Sequence, residues 1–131
     1  MNEAGVKRTI ARSMHDGGGY ARRIEDQYAV GTYDMILIPF GLPVFMAEVK
    51  MIKNEAFGPT PRQLIELHRI GGVAANNGHV IPVVIGYKDG NYYFHKPKQV
   101  IIKSECFSVT TSDVPFYKQL TLYYFSQKGT A

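Results

Sequence analysis

The sequence predicts an α/β fold in which helices flank a central mixed β-sheet. Two apolar strands, 33–39 and 44–51, are separated by a short turn that contains glycine and proline, and they predict an antiparallel hairpin. A helix and then a third, β-branched strand at 80–87 follow. A strand–helix–strand crossover places its two strands parallel. The sheet should therefore contain both antiparallel and parallel pairs.

The N-terminal segment predicts a helix that begins after Asn2, a favourable cap residue. Val6, Ile10 and Met14 recur at helical spacing. Glu3 lies on the same stripe and should face inward or lie at the edge of the core. The glycines at 17–19 should end this helix. The next segment, 20–24, predicts a strand only weakly, and 25–31 predicts a polar loop.

A second helix has an explicit start, because Thr60 can cap it, Pro61 suits its first position and Gln63 completes a capping box. A polar connection at 52–61 precedes the helix. Residues 88–91 predict a tight turn into a further strand at 92–95. Segment 99–109 is compatible with either strand or helix, and 115–125 predicts a terminal amphipathic helix.

Length and composition favour one domain of 131 residues, with a core at about 2–95 and an elaboration at about 96–131. The single cysteine excludes an internal disulfide and a cysteine-rich zinc site, and suits a reducing cytosol. No apolar run approaches the roughly 20 residues of a membrane span. The chain is expected to be cytoplasmic, without a membrane partner.

The chain carries a formal net charge of +4, which permits a polyanionic partner without requiring one. From composition alone, solvated surface charge accounts for the basic residues about as well as a phosphate-binding face does. The candidate contacts with such a polyanion are Arg8, Arg12, Arg22, Arg23, Lys53 and Arg62.

The most informative feature is a pair of acids within the predicted hairpin. Glu48 and Lys50 project from one face of their strand because successive side chains alternate. Asp34, at the start of the neighbouring strand, can converge with Glu48 across paired backbone. Carboxylate oxygens suit Mg²⁺, which retains several waters and binds through one or two acids. Such an ion can activate water and polarise a phosphoryl oxygen, and Lys50 can neutralise developing charge.

These residues resemble the signature of the PD-(D/E)XK nuclease superfamily, which is an acid followed by an acid-x-Lys on adjacent strands. Gly31-Thr-Tyr-Asp34, Ala47-Glu-Val-Lys50 and Thr60-Pro-Arg-Gln63 are similar to the motifs of its VRR-NUC branch, over about residues 2–95. Tyr33 departs from that branch, which most often has proline there.

The resemblance implies a restriction-endonuclease-like core and a stand-alone nuclease similar to Holliday-junction resolvases. It implies that Asp34, Glu48 and the Val49 carbonyl bind Mg²⁺ or Mn²⁺, with Glu3 beside them, and that Lys50 is catalytic and Gln63 supports it. The expected activity is metal-dependent endonucleolytic cleavage of DNA, with branched, flap or junction DNA preferred. A homodimer is expected, because two sites would cut two strands together. Tyr92 and Tyr93, or Tyr123 and Tyr124, are candidate dimer contacts.

Simpler roles remain open for the same residues. Glu-Val-Lys alone is more often a surface pair than a site. The capping box accounts equally well for Gln63, and the helix dipole accounts for Glu3. The whole chain could be a non-catalytic nucleic-acid-binding module on the same fold, or a metal-dependent hydrolase of small phosphate esters.

Overall fold

A computed structural model of the chain describes residues 1–24, 33–77, 79–110 and 113–128. The predicted loop at 25–31, including Glu25 and Asp26, and the Gly31-Thr32 part of the first motif lie outside the described residues. Its helices and strands are, in chain order, α1 (Glu3–Asp16), β1 (Tyr20–Arg23), β2 (Met35–Ile38), β3 (Val44–Met51), β4 (Ala56–Phe57), α2 (Pro61–Asn77), β5 (Val80–Lys88), β6 (Asn91–His95), β7 (Ile101–Ile102), β8 (Phe107–Ser108) and α3 (Phe116–Lys128).

The main sheet has six strands in the order β1-β2-β3-β5-β6-β8. β3 and β5 are parallel, with Glu48 opposite Val84 and Lys50 opposite Gly86. The other pairs of this sheet are antiparallel. The predicted α/β class and the mixed sheet, with an antiparallel meander and one parallel crossover, are confirmed.

The first helix forms where its cap and its apolar spacing predict it. The Asn2 side chain accepts a hydrogen bond from the Gly5 amide at 2.8 Å, which satisfies one of the free N–H groups at the helix start. Val6, Ile10 and Met14 are buried. The stripe therefore packs this helix onto the sheet.

The two faces of the sheet are covered by different helices. On β3, Phe45, Ala47 and Val49 belong to the main core, together with buried residues of α1 and α3. Strand alternation sends Glu48 and Lys50 to the opposite face. That face carries a smaller apolar cluster in which Leu67 of α2 packs with Val84 and Ile101.

The start of α2 is the capping box that its sequence predicts. The Gln63 amide donates to Thr60 Oγ1 at 3.3 Å, and the Thr60 amide donates to Gln63 Oε1 at 2.9 Å. These two bonds fix the first turn and the direction in which the Gln63 side chain points.

Two segments differ from their predictions. The connection at 52–61 contains β4, which pairs with β7 in a separate two-stranded sheet. Segment 99–109 forms β7, one 3₁₀ turn and β8, and β8 extends the main sheet beside β6. Strands of two residues carry no periodicity, so the sequence pattern could not identify them.

The aromatic residues predicted as dimer contacts are mostly used inside the chain. Tyr92, Tyr123 and Tyr124 are buried, at 7%, 2% and 8% exposure. Their rings pack against other core rings, such as Phe116 on Tyr92. The prediction that these three supply an interface was wrong.

No helix among the described residues has the length and apolar character needed to cross a membrane.

Candidate metal centre

Asp34 is held at the entrance to β2 by the backbone of two neighbouring strands. Its amide donates to the Ala47 carbonyl at 2.9 Å, and its carbonyl accepts from the Ile24 amide at 2.8 Å. Its Oδ2 accepts from the Val49 amide at 2.9 Å. Backbone groups thus hold both the main chain and the side chain of Asp34. Its carboxylate therefore has a defined position beside β3.

Glu48 lies on β3, almost sealed from solvent at 1% exposure. Gln63 Nε2 donates to Glu48 Oε1 at 2.7 Å, so the capping-box residue of α2 also orients this acid. The Lys50 ammonium is 3.7 Å from the same oxygen. The second oxygen, Oε2, is buried, and the described residues offer it no hydrogen-bond donor. A buried carboxylate oxygen without a donor is costly, and a bound cation would remove that cost.

The pKa of Glu48 is raised from 4.5 to about 9, first by burial and then by the neighbouring Asp34 carboxylate. Lys50 and Lys7 act in the opposite direction but are outweighed. Without a metal, Glu48 therefore holds a proton at neutral pH, and the protonated acid can donate to Asp34. A cation bound between the two acids would take the place of that proton and neutralise both.

Lys7 of α1 also reaches this site, which the sequence did not predict. Its ammonium is 3.2 Å from Asp34 Oδ1 and 4.0 Å from Glu3 Oε2. The only sequence signal was the spacing of four residues between Glu3 and Lys7, which is common on solvated helix faces. The contact with Asp34 depends on how α1 packs over the sheet.

Glu3 lies at the periphery of the site, with its side chain 47% exposed. Within the described ranges, no three His, Cys, Asp or Glu side chains come together as a potential metal group. The ion pair that Glu3 makes among the described residues is with Lys7. Metal ligation by Glu3 and by the Val49 carbonyl stays a prediction.

The donor set suits a hard cation that retains water. Two carboxylates converge, one of them with an unpartnered oxygen, and no sulfur or imidazole ligand accompanies them in the described part of the chain. Mg²⁺ commonly binds through one or two carboxylates and completes its shell with water and phosphate oxygens. These residues fit Mg²⁺ or Mn²⁺ better than a closed zinc site.

The predicted DNA contacts lie on several surfaces. Arg8, Arg12, Arg22, Lys53 and Arg62 are exposed, and Arg23 is partly buried. Arg22 pairs with Ile36 and therefore shares the sheet face of Glu48. Arg62 precedes Gln63 in the first turn of α2. Arg12 instead lines a groove with Asn91 and Tyr117, on the side of the sheet that α1 and α3 cover.

The strand order and helices define a resolvase or restriction-endonuclease-like fold. A solved structure with this architecture is Hjc from Archaeoglobus fulgidus, a Holliday junction resolvase from an archaeal hyperthermophile. The two superpose with a TM-score of 0.62 at 14% identity, over 91% of this chain and 98% of that chain. At this identity the likeness establishes the fold alone. No protein-family model and no curated protein matches the sequence, so membership of the VRR-NUC branch stays a prediction.

Proposed function

We propose that this chain is a single-domain, divalent-metal-dependent endonuclease that hydrolyses DNA phosphodiester bonds, with branched, flap or junction DNA as its preferred substrate. The observation that carries the proposal is the buried Glu48 oxygen for which the described residues supply no donor, beside Asp34 and on the same strand as Lys50. The fold neighbour is itself a Holliday junction resolvase. This likeness supports branched DNA, instead of other phosphodiesters, as the proposed substrate.

The residues of the site have separable roles in this reaction. Gln63 binds one oxygen of Glu48 and so orients the other, while the Val49 amide fixes Asp34. A cation held by Asp34, Glu48 and the Val49 carbonyl would supply a water of lowered pKa and polarise the scissile phosphate. Lys50 lies beside the acids with its ammonium partly exposed, where it can approach a phosphate oxygen and neutralise its charge.

The local charge balance supports a phosphate substrate. Lys7 and Lys50 offset Asp34 and Glu48 within contact distance, so these four side chains sum to about zero when both acids are ionised. Addition of a divalent cation would make the site positive. A positive, partly buried site attracts a phosphate diester more strongly than exposed lysines do, because screening is weaker there.

The decisive experiment is a cleavage assay on single-stranded, duplex, flap and four-way-junction DNA, each with Mg²⁺, Mn²⁺ or EDTA. We expect cutting only with added metal, and a loss of at least about 100-fold in rate for Glu48→Ala or Lys50→Ala. Lys118→Ala is the matched control, because Lys118 is an exposed lysine of α3. Cutting that continues in EDTA, or in the Glu48 variant, would contradict this mechanism.

The same panel separates the rival functions. A non-catalytic module would bind DNA in a salt-dependent way, cut nothing, and bind equally well after Asp34→Ala. If the chain instead hydrolyses small phosphate esters, nucleotides would compete for its site far better than duplex DNA would.

We also propose that the active form is a homodimer, although not through Tyr92, Tyr123 or Tyr124. Light scattering at working concentration measures this directly, and a mass of 14.7 kDa, that of one chain, would exclude the dimer.

A further inference from the structure

Lys7 is a partly buried lysine whose ammonium lies within contact distance of two acids. Its side chain is 14% exposed, whereas the adjacent Arg8 is exposed. Lysine normally keeps its charged end in solvent while its aliphatic stem covers apolar surface. A lysine that gives up this hydration needs fixed acidic partners.

The ammonium has two partners that differ in position and exposure. Asp34 Oδ1, at 3.2 Å, is inside the site, and Glu3 Oε2, at 4.0 Å, is one helical turn back toward solvent. The other oxygen of Asp34 already accepts from the Val49 amide. Lys7 therefore contacts Oδ1, the Asp34 oxygen for which the described residues supply no backbone donor.

A divalent cation held between Asp34 and Glu48 would compete with Lys7 for this oxygen. Both carry positive charge, and at a separation of a few ångströms in a partly buried site the repulsion between them is strong. The ammonium must therefore move away from Asp34 when the metal arrives. Glu3 lies within reach of the same side chain and offers a place for it.

We propose that Lys7 is a positioning residue that holds Asp34 in the metal-free protein and passes to Glu3 when a divalent cation binds. The inference rests on the proposed metal site. Before metal binds, the ammonium offsets the negative charge of Asp34. Because it must be displaced, it lowers the affinity of the site for metal. In this role Glu3 acts through Lys7.

The test is calorimetric titration of the full chain with Mn²⁺ alone, without DNA. Lys7→Met keeps the aliphatic stem and removes the charge, so we expect its Kd to fall by about 10-fold relative to wild type. Glu3→Gln removes the alternative partner and should raise the Kd by about 3-fold. Lys118→Met changes the net charge equally and should stay within about 2-fold.

Thermal unfolding in EDTA gives an independent readout. Lys7→Met should melt below wild type without metal, because Asp34 loses its neutralising partner. Saturating Mn²⁺ should also raise the melting temperature of this variant by more than it raises that of wild type. If that variant fails to fold, Lys7→Gln and the exposed Glu3→Gln carry the test.

The outcomes separate this inference from the proposed function. A Lys7 variant that binds Mn²⁺ as wild type does, or more weakly, overturns the role of Lys7. Unchanged affinity after Glu3→Gln overturns the transfer to Glu3. A wild-type protein that binds no Mn²⁺ overturns the metal site itself, whatever the variants do.

Discussion

At the scale of single residues, Glu48 makes the stability of the metal-free protein depend on pH. Its folded-state pKa is about 9 against an ordinary value of 4.5, chiefly because of burial. The folded state thus binds the proton more tightly than the unfolded state does. The resulting stabilisation is complete below about pH 4.5 and is lost as the pH rises toward 9.

We therefore predict that Glu48→Gln is increasingly more stable than wild type as the pH rises from 5 to 9 in EDTA. Glutamine resembles the protonated acid in shape and cannot ionise, so it avoids the buried charge. The difference in the free energy of unfolding should grow by an amount on the order of 1–4 kcal/mol across this range. Urea denaturation at several pH values measures it.

Glu105→Gln is the control. Because Glu105 is exposed, the difference in the free energy of unfolding between this variant and wild type should stay constant over the same pH range. An equally flat profile for Glu48→Gln would show that the carboxyl group titrates normally in the folded chain. Burial beside Asp34 would then not be the dominant influence on it.

Residue patterns predicted the acids of the site better than its basic groups. Asp34, Glu48 and Lys50 belong to one hairpin, so strand alternation is enough to bring them together. Gln63 makes a contact that suits each role left open by the sequence, since its oxygen accepts in the capping box and its nitrogen donates to Glu48, and its support of catalysis stays a prediction. Lys7 joins the site only through packing between α1 and the sheet, which helical spacing does not encode.

At the scale of elements, the small sheet of β4 and β7 fits over the main sheet because position 86 has no side chain. Gly86 lies opposite Lys50 in the parallel pair. A Cβ built at Gly86 would lie 2.5 Å from Ile52 Cδ1 and 2.8 Å from Phe57 Cε2. Such separations are too short for carbon atoms, so both side chains would have to shift.

Gly86→Ala should therefore destabilise the protein by about 1–3 kcal/mol, the usual cost of overpacking. Urea denaturation in EDTA measures the change. Adding Ile52→Val removes the closest contacting atom and should recover part of the loss. An alanine variant as stable as wild type would mean that β4 can move away from β5 without cost.

The elements themselves were predictable where a periodic pattern was long. β3 has the predicted bounds, Val44–Met51, because its eight residues combine apolar alternation with a turn before them. α2 begins at the predicted residue because its capping box is local chemistry. β4, β7 and β8 have two residues each and exist only through their pairing partners, which a local pattern cannot reveal.

At the scale of the whole molecule, the sheet face that carries Glu48 also carries Arg22. Arg22 pairs with Ile36, and Ile36 pairs with Met46 on β3. Neighbouring strands are about 4.8 Å apart, so Arg22 lies roughly 10 Å from β3 on the same face. A DNA backbone that reaches the acids along this face would pass within contact distance of Arg22.

DNA binding should therefore weaken with salt, and Arg22→Gln should reduce the slope of log K against log salt concentration by about 0.9, the contribution of one phosphate contact. The measurement is fluorescence anisotropy with a labelled four-way junction in EDTA, where we expect no cutting, over a series of salt concentrations. Lys118→Gln removes the same charge from exposed α3 and should leave the slope unchanged while lowering the affinity slightly. Equal slopes for wild type and Arg22→Gln would mean that DNA approaches the site along a different path. In that case the position to test is Arg62, which lies in the first turn of α2 next to Gln63.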